Sequence, residues 1–481
     1  MIVKASNVMK LNVFNLAPIT GALLLLATSP IQARSNLETL GGAIYKDLNL
    51  SINANQSCMT CHQQSAGFAD PENRVMPHVF PTSDGSIPTL FGGRNAPTAA
   101  YAGFSPKFHY DAGEGLFIGG LFWDGRATGR MDVTATKDLG TGGTGDPLAD
   151  QAKGPFGNPV EMALTTANTG LTTEEAVMAI IQASDYADKF VKEFGPFGDP
   201  KVDYQNVSIA IAAFERSNKL NIFGSKFDKF VKEQGGDVSA FGVDNPVDRN
   251  YVGPPAGFKS KAFSYDEADG LAIFNAISLT QMGEGDSDPA NNPAEVVDGG
   301  QCFLCHLTDN HEVVIDENHP VGGPAPGTYN PIFTDFSYDN LGIPVNPQVA
   351  VNAGPQDPDK GLGGQTAQLD AAYGAPYTDA ADLEGAFKVS SLRNLSQTAP
   401  YGHNGYFATI DEIVHFYNTR DVKDSCESLG IYDASAQTAI ANNCWPVGEF
   451  PDTQNAEELG NLGLTAEQEM KLVQFMKTLN D

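Results

Sequence analysis

Basic residues are scarce in this sequence: 29 lysines and arginines stand against 59 aspartates and glutamates, a formal net charge of −30. A chain of this sign repels a phosphate backbone, so nucleic acid is excluded as the expected partner. The acidity is read first as solubility, with a field that steers a basic partner as the alternative. Long hydrophobic runs are also scarce. Beyond one apolar run near the N-terminus, none is long enough for a membrane helix, and no membrane span is expected in the rest of the chain. Strand signals are weak throughout, which leaves a mainly α protein with long irregular loops as the expected fold class. Cysteine occurs only six times and tryptophan twice.

What is present begins with Lys4 and Lys10, an apolar run from about Leu16 to Ala27, and the segment SPIQA. This order describes a secretory signal peptide over 1–33, cut after Ala33, and predicts an exported, periplasmic-type location. Roughly 450 residues then remain, more than one hydrophobic core normally supports. Helical patterns fall at 37–49, 173–194, 203–220, 264–277, 409–419 and 465–479, separated by glycine- and proline-rich stretches such as 138–147 and 318–331. The stretch FGVDNPVDRNYVGPP suggests a boundary near 250. The expected organisation is an N-terminal domain over 34–250, a C-terminal domain over 251–425, and a tail over 426–481 packing back on the N-terminal domain.

Four of the six cysteines are spent on one pattern used twice, CMTCH at 58–62 and CFLCH at 302–306. Each pattern follows a related segment, LETLGGAIYKDLNLS before the first and SYDEADGLAIFNAIS before the second. In CxxCH the two thiols add to the vinyl groups of one haem and the adjoining imidazole takes the proximal position on iron. A zinc site would need four clustered ligands, and a dithiol redox pair rarely has the trailing histidine. Two covalent haems c are therefore expected, one on Cys58, Cys61 and His62, the other on Cys302, Cys305 and His306. Cys426 and Cys444 are left over for a disulfide, in keeping with an oxidising compartment.

The sixth position on each iron decides between electron transfer and catalysis. A closed iron only relays electrons, whereas a reactive one keeps a face open for peroxide or oxygen. Between His306 and Met470 there is no methionine, so a thioether ligand to the second iron would have to be Met470 or Met476. His311, His319, His403, His415 and the tyrosines are the other candidates. In TIDEIVHFYNTRD, Thr409 and Glu412 form a capping box. At about 100° per residue Ile410, Ile413, Val414 and Tyr417 share one face and His415 points away.

The blocks GRNAPTAAY (93–101), FWDGRA (122–127), QAKGPFGNPVEM (151–162) and LRNLSQTAPYGHNGYFATIDEIVHFYN (392–418) resemble the di-haem cytochrome c peroxidase family, including its MauG-type branch. The resemblance runs through nearly the whole chain after the leader. It implies two cytochrome c-like haem domains, the first peroxidatic and the second an electron relay. Tyr417 falls where ordinary members have an axial methionine and MauG-type members a tyrosine. Glu161 matches the catalytic glutamate, Gln151 the distal glutamine, and Trp123 the tryptophan between the haems. Asn95, Thr398 and Pro400 match positions that bind a calcium ion.

The activity so implied is oxidation of a partner protein by hydrogen peroxide. Rival expectations are an ordinary peroxidase fed by a small cytochrome or cupredoxin, and a non-catalytic di-haem carrier. Two features depart from the family: a Gly-rich insertion within 128–150, and poorly matching surroundings for His78, which some members use to close the first haem. Trp445 is read as a buried anchor, with a place on an exit path as the alternative.

Overall fold

The computed structural model describes residues 29–131, 143–241, 253–278, 299–308, 331–354 and 357–481. Most of the expected leader, His311, His319 and the centre of the Gly-rich insertion lie outside them. The chain is mainly helical, and among the described residues the strands form three two-stranded ladders, His109–Asp111 with Leu116–Ile118, Tyr338–Asp339 with Phe387–Lys388, and Asp424–Ser425 with Cys444–Trp445. Among the described residues no helix is long and apolar enough to cross a membrane.

Helix starts are set by side-chain caps. Thr172, Ser225, Ser264, Thr409 and Thr465 each accept from the third helical N–H, while the residue at that position reaches back to the cap. The pattern at 173–194 is two helices, Thr173–Ala183 and Ala187–Phe194, because the chain turns extended at Ser184. The pattern at 203–220 begins earlier, at Pro200, where Asp199 caps the first turn and proline needs no N–H partner.

Two large cores form, and the internal repeat explains both. In the first, helix Ser29–Ile44 packs on helix Pro200–Glu215, and a Cβ on Gly41 would collide with the Ala210 carbonyl. In the second, helix Tyr265–Phe274 packs on helix Ala466–Met476, and a Cβ on Gly270 would collide with the Lys471 carbonyl. Gly41 and Gly270 hold equivalent places in the two segments that precede the CxxCH motifs. Each glycine lets two backbones touch where a side chain would hold them apart.

Core membership divides the chain differently from the expected boundary and tail. Phe227, Phe230, Val231, Val238 and Phe241 already belong to the second core, packed with Phe263, Phe274, Phe333 and Phe475. Leu462, Leu464, Leu472, Val473 and Leu479 of the tail belong there too, because the apolar face of Ala466–Met476 is the partner of Tyr265–Phe274. The tail touches the first half at Gln437, which lies against His78, and at the chain end, where Asp481 accepts from the Tyr101 hydroxyl and the Gly224 N–H.

Candidate haem sites

The first CxxCH forms a single helical turn, Cys58–Cys61, with the His62 N–H bonded to the Cys58 carbonyl at 2.9 Å. The second forms a 3₁₀ turn, Cys302–Leu304, with the His306 N–H on the Cys302 carbonyl at 2.8 Å. Both imidazoles are oriented in the same way. Nδ1 of His62 lies 3.1 Å from the Phe68 carbonyl, and Nδ1 of His306 lies 3.0 Å from the Phe333 carbonyl. A carbonyl can only accept, so Nδ1 carries the proton and Nε2 is free to ligate. Burial lowers the pKa of both rings, which keeps them neutral as ligands must be. Phe68 and Phe333 adopt φ of 62° and 57°, a left-handed turn that is costly for phenylalanine.

A large apolar cavity opens over the second motif. Cys302, Cys305, His306, Tyr417, Leu472 and Met476 line it, and it extends to Asn95, Trp123, Thr398 and Pro400. The set fits a porphyrin: two thiols and an imidazole on one wall, aliphatic side chains around, and an oxygen and a sulfur donor as candidates for the far face. Helix Ile410–Thr419 turns Tyr417 into the cavity, where burial, then Cys305 and Asp339, raise its pKa well above that of a free phenol. Other candidates drop out by position. Met470 is half exposed, and His415 is held by Glu469 at 3.0 Å and by Lys423 at 2.7 Å. Met476, His403 and Tyr401, whose hydroxyl donates to the Leu395 carbonyl at 2.8 Å, remain on the cavity wall with Tyr417.

Around the first motif the fit to a porphyrin rests on polar atoms. Gln56 Oε1, Asn73 Nδ2, Thr82 Oγ1 and Ser83 Oγ are buried without a hydrogen-bond partner, which is uncommon unless a further group completes them. Glu161 sits in the turn after helix Pro147–Gly157, where the Asn158 amide donates to its Oε1 at 2.7 Å. Its backbone carbonyl accepts from the Ser86 N–H at 2.7 Å, and burial raises the pKa of both Cys58 and Cys61, with a smaller contribution from the Glu161 charge. Gln151 lies half-buried in the first half of the same helix. The preceding residue, Asp150, accepts from Gly129 at 2.9 Å and from Thr144 at 2.8 Å. It thereby ties both stems of the Gly-rich insertion to the helix that bears Gln151. His78 is exposed, with Nε2 2.9 Å from the Gln437 amide nitrogen.

Trp123 lies on the wall of the second cavity. Its indole donates to the Asn95 carbonyl at 2.9 Å, and its own carbonyl accepts from Lys388 at 2.8 Å. The Asn95 side-chain amide donates to the Pro400 carbonyl at 2.7 Å. Asn95, Thr398 and Pro400 thus lie on one stretch of the cavity wall. Trp445 is buried, its indole donating to Thr419 at 3.0 Å. Cys426 and Cys444 form the expected disulfide.

Residues 35–236 match the sequence profile described as di-haem cytochrome c peroxidase. The methylamine utilization protein MauG of Paracoccus denitrificans is 29% identical over 389 residues, 79% of this chain and 74% of that protein. Over most of its length the chain is similar to di-haem cytochrome c peroxidases. It is an oxidoreductase, and this similarity together with the two CxxCH motifs gives it two haems c. A cytochrome c551 peroxidase of Nitrosomonas europaea is 25% identical over 389 residues, covering 80% and 75% of the two chains. Among solved structures, the diheme peroxidase BthA of Burkholderia thailandensis shares the fold, with a TM-score of 0.59 over 92% of this chain and 86% of that one at 23% identity.

Sequence reasoning missed the carbonyl partners of the two histidines. They come from phenylalanines in left-handed turns, a conformation that no residue type at those positions announces.

Proposed function

We propose that this chain is a MauG-type di-haem peroxidase, exported from the cytoplasm, that uses hydrogen peroxide to oxidise a partner protein. The observation that supports this most is the presence of Tyr417 on the second haem cavity, in a stretch without methionine. A phenolate is a hard, electron-rich donor suited to oxidised iron, whereas a thioether favours the ferrous state. Haem iron supplies the cleavage of peroxide and the storage of its oxidising equivalents.

The chain's own residues handle protons, geometry and the exit of charge. In this reading Glu161 takes the proton from the near peroxide oxygen and returns it to the departing one, with Gln151 orienting the peroxide. The Asn158 amide fixes the carboxylate for this task. Trp123, held at both its indole and its carbonyl, is the conductor between the two sites. Asn95, Thr398 and Pro400 would bind calcium through oxygen atoms, the Asn95 amide turning its oxygen toward the ion.

Met476, on the same cavity wall, favours a second reading, an ordinary peroxidase with a thioether on the second iron that draws electrons from a small cytochrome or cupredoxin. Ferric spectra of Tyr417→Phe and Met476→Leu separate the two. The proposal expects Tyr417→Phe alone to change the ligand-dependent bands and to shorten the life of the peroxide-oxidised state. A change only in Met476→Leu, with brisk turnover of reduced cytochrome c, would establish the ordinary peroxidase.

A further inference from the structure

A third, small aromatic core adjoins the second haem cavity through Lys388 and reaches the surface. Tyr338 stands across a two-residue ladder from Lys388, whose N–H is bonded to the Trp123 carbonyl. The Tyr338 ring is 5.9 Å from Phe108, and Phe108 is 5.6 Å from Phe117. Phe117 then touches two tyrosines, Tyr110 and Tyr377, each at 5.0 Å. Tyr373 closes the group, 4.9 Å from Tyr110 and 5.2 Å from Tyr377, and is 46% exposed.

We propose that Tyr110, Tyr373 and Tyr377 form the exit through which oxidising equivalents leave the protein toward an electron donor. The inference rests on the peroxide-dependent reading above and names the place where its oxidising power emerges. Electron tunnelling falls off exponentially with distance, so a series of ring-to-ring steps at contact distance conducts far better than one long jump. A phenylalanine ring is too hard to oxidise to hold a hole, so Phe108 and Phe117 serve as a packed tunnelling bridge between Tyr338 and the outer tyrosines, whose phenols are oxidised more easily and retain it. The larger aromatic cluster of the second core, by contrast, is built from phenylalanines such as Phe230, Phe263 and Phe475, all buried.

The proton chemistry fits the outer tyrosines. Burial and then the charge of Asp379, ahead of Tyr110 and Asp382, raise the pKa of Tyr377, so its phenol is protonated at neutral pH and has carboxylates beside it. Tyr338 donates instead to the Gly119 carbonyl, which cannot take the proton away, so it relays charge without retaining it. The balance is simple. One peroxide takes up two electrons and two protons to give two waters, and each of two phenols surrenders one electron and one proton. A bound donor then restores both.

The test treats the holoprotein with a small excess of peroxide and no electron donor. Three signals are followed: the Soret band, the tyrosyl radical by freeze-quench electron paramagnetic resonance, and oxidised or cross-linked tyrosines by peptide mass mapping. Radical and cross-links at Tyr373 and Tyr377 are expected, lost in the pair Tyr373→Phe with Tyr377→Phe and reduced several-fold in Phe117→Leu. A peroxide-induced Soret change with these tyrosines intact would overturn the exit and leave the peroxide reaction standing. An unresponsive Soret band would overturn both. Equal modification in Phe117→Leu would overturn the route.

Discussion

In the proposed function Glu161 is the residue on which the peroxide chemistry turns. Its carboxylate is aimed by the Asn158 amide, and general acid–base assistance is worth about 10² to 10⁴ in rate. Glu161→Gln keeps the shape and cannot shuttle a proton. Stopped-flow mixing with peroxide should show the first haem reacting slower by about that factor, with its ferric spectrum unchanged. A second residue, Glu215, carries a pH signature. It is buried at the end of helix Pro200–Glu215, and burial raises its pKa to about 8, with Arg216 opposing and Asp146 reinforcing the rise. Its Oε2 has no hydrogen-bond partner. The folded state therefore holds a proton that the unfolded state has already released above its ordinary pKa. Stability from this group is full below the ordinary carboxylate range and is lost as pH rises toward 8. Melting curves of Glu215→Gln should fall less than those of the parent between pH 5 and 8, with a gain on the order of a few kcal/mol at the upper end. At this scale the thiols and imidazoles of both CxxCH motifs were legible, because porphyrin chemistry dictates their spacing. Glu215 was not, since burial of a helical glutamate leaves no mark in its immediate sequence.

Elements were legible where their ends are chemically marked. Thr409 with Glu412 and Ser264 with Glu267 announce helices whose starts agree with the structure. Ser184 breaks the 173–194 pattern without such a mark, and the apolar period alone runs straight through it. The tail was harder, because its packing partner lies about two hundred residues earlier and periodicity reports only which face is apolar. Cys426 and Cys444 could be paired by elimination, and their bridge closes a loop of 18 residues that holds the short ladder Asp424–Ser425 with Cys444–Trp445. Closing a loop of that size stabilises by about 3 kcal/mol, chiefly by restricting the unfolded chain. The double replacement Cys426→Ser with Cys444→Ser should lower the urea midpoint accordingly while leaving the Soret spectrum intact. A matching loss of haem would mean that the tail also braces the second site.

At the scale of the whole molecule a buried ion pair of the second core meets aromatic rings of the first. Arg393 is fully buried, donates to the Asp228 carboxylate at 2.7 and 2.9 Å, and gives Nε to the Pro331 carbonyl at 2.9 Å. Its guanidinium lies over Phe223 at 4.9 Å, Tyr101 at 5.6 Å and Phe333 at 5.7 Å, so aromatic rings of both halves close around it. Arg393 holds Asp228 below the usual carboxylate range in spite of burial, which marks the pair as ionised. Two charges without water are costly, and either one left alone is costlier still. Asp228→Ala or Arg393→Met should each destabilise the fold by about 3–5 kcal/mol, whereas replacing both with apolar residues of similar volume should recover much of the loss. Guanidinium unfolding read at haem absorbance and at far-ultraviolet circular dichroism checks this. If Arg393 also couples the two halves through Tyr101 and Phe223, the transitions read at haem absorbance and at circular dichroism should lie further apart in the single variants than in the parent. Additive losses in the double variant would instead make the two residues independent.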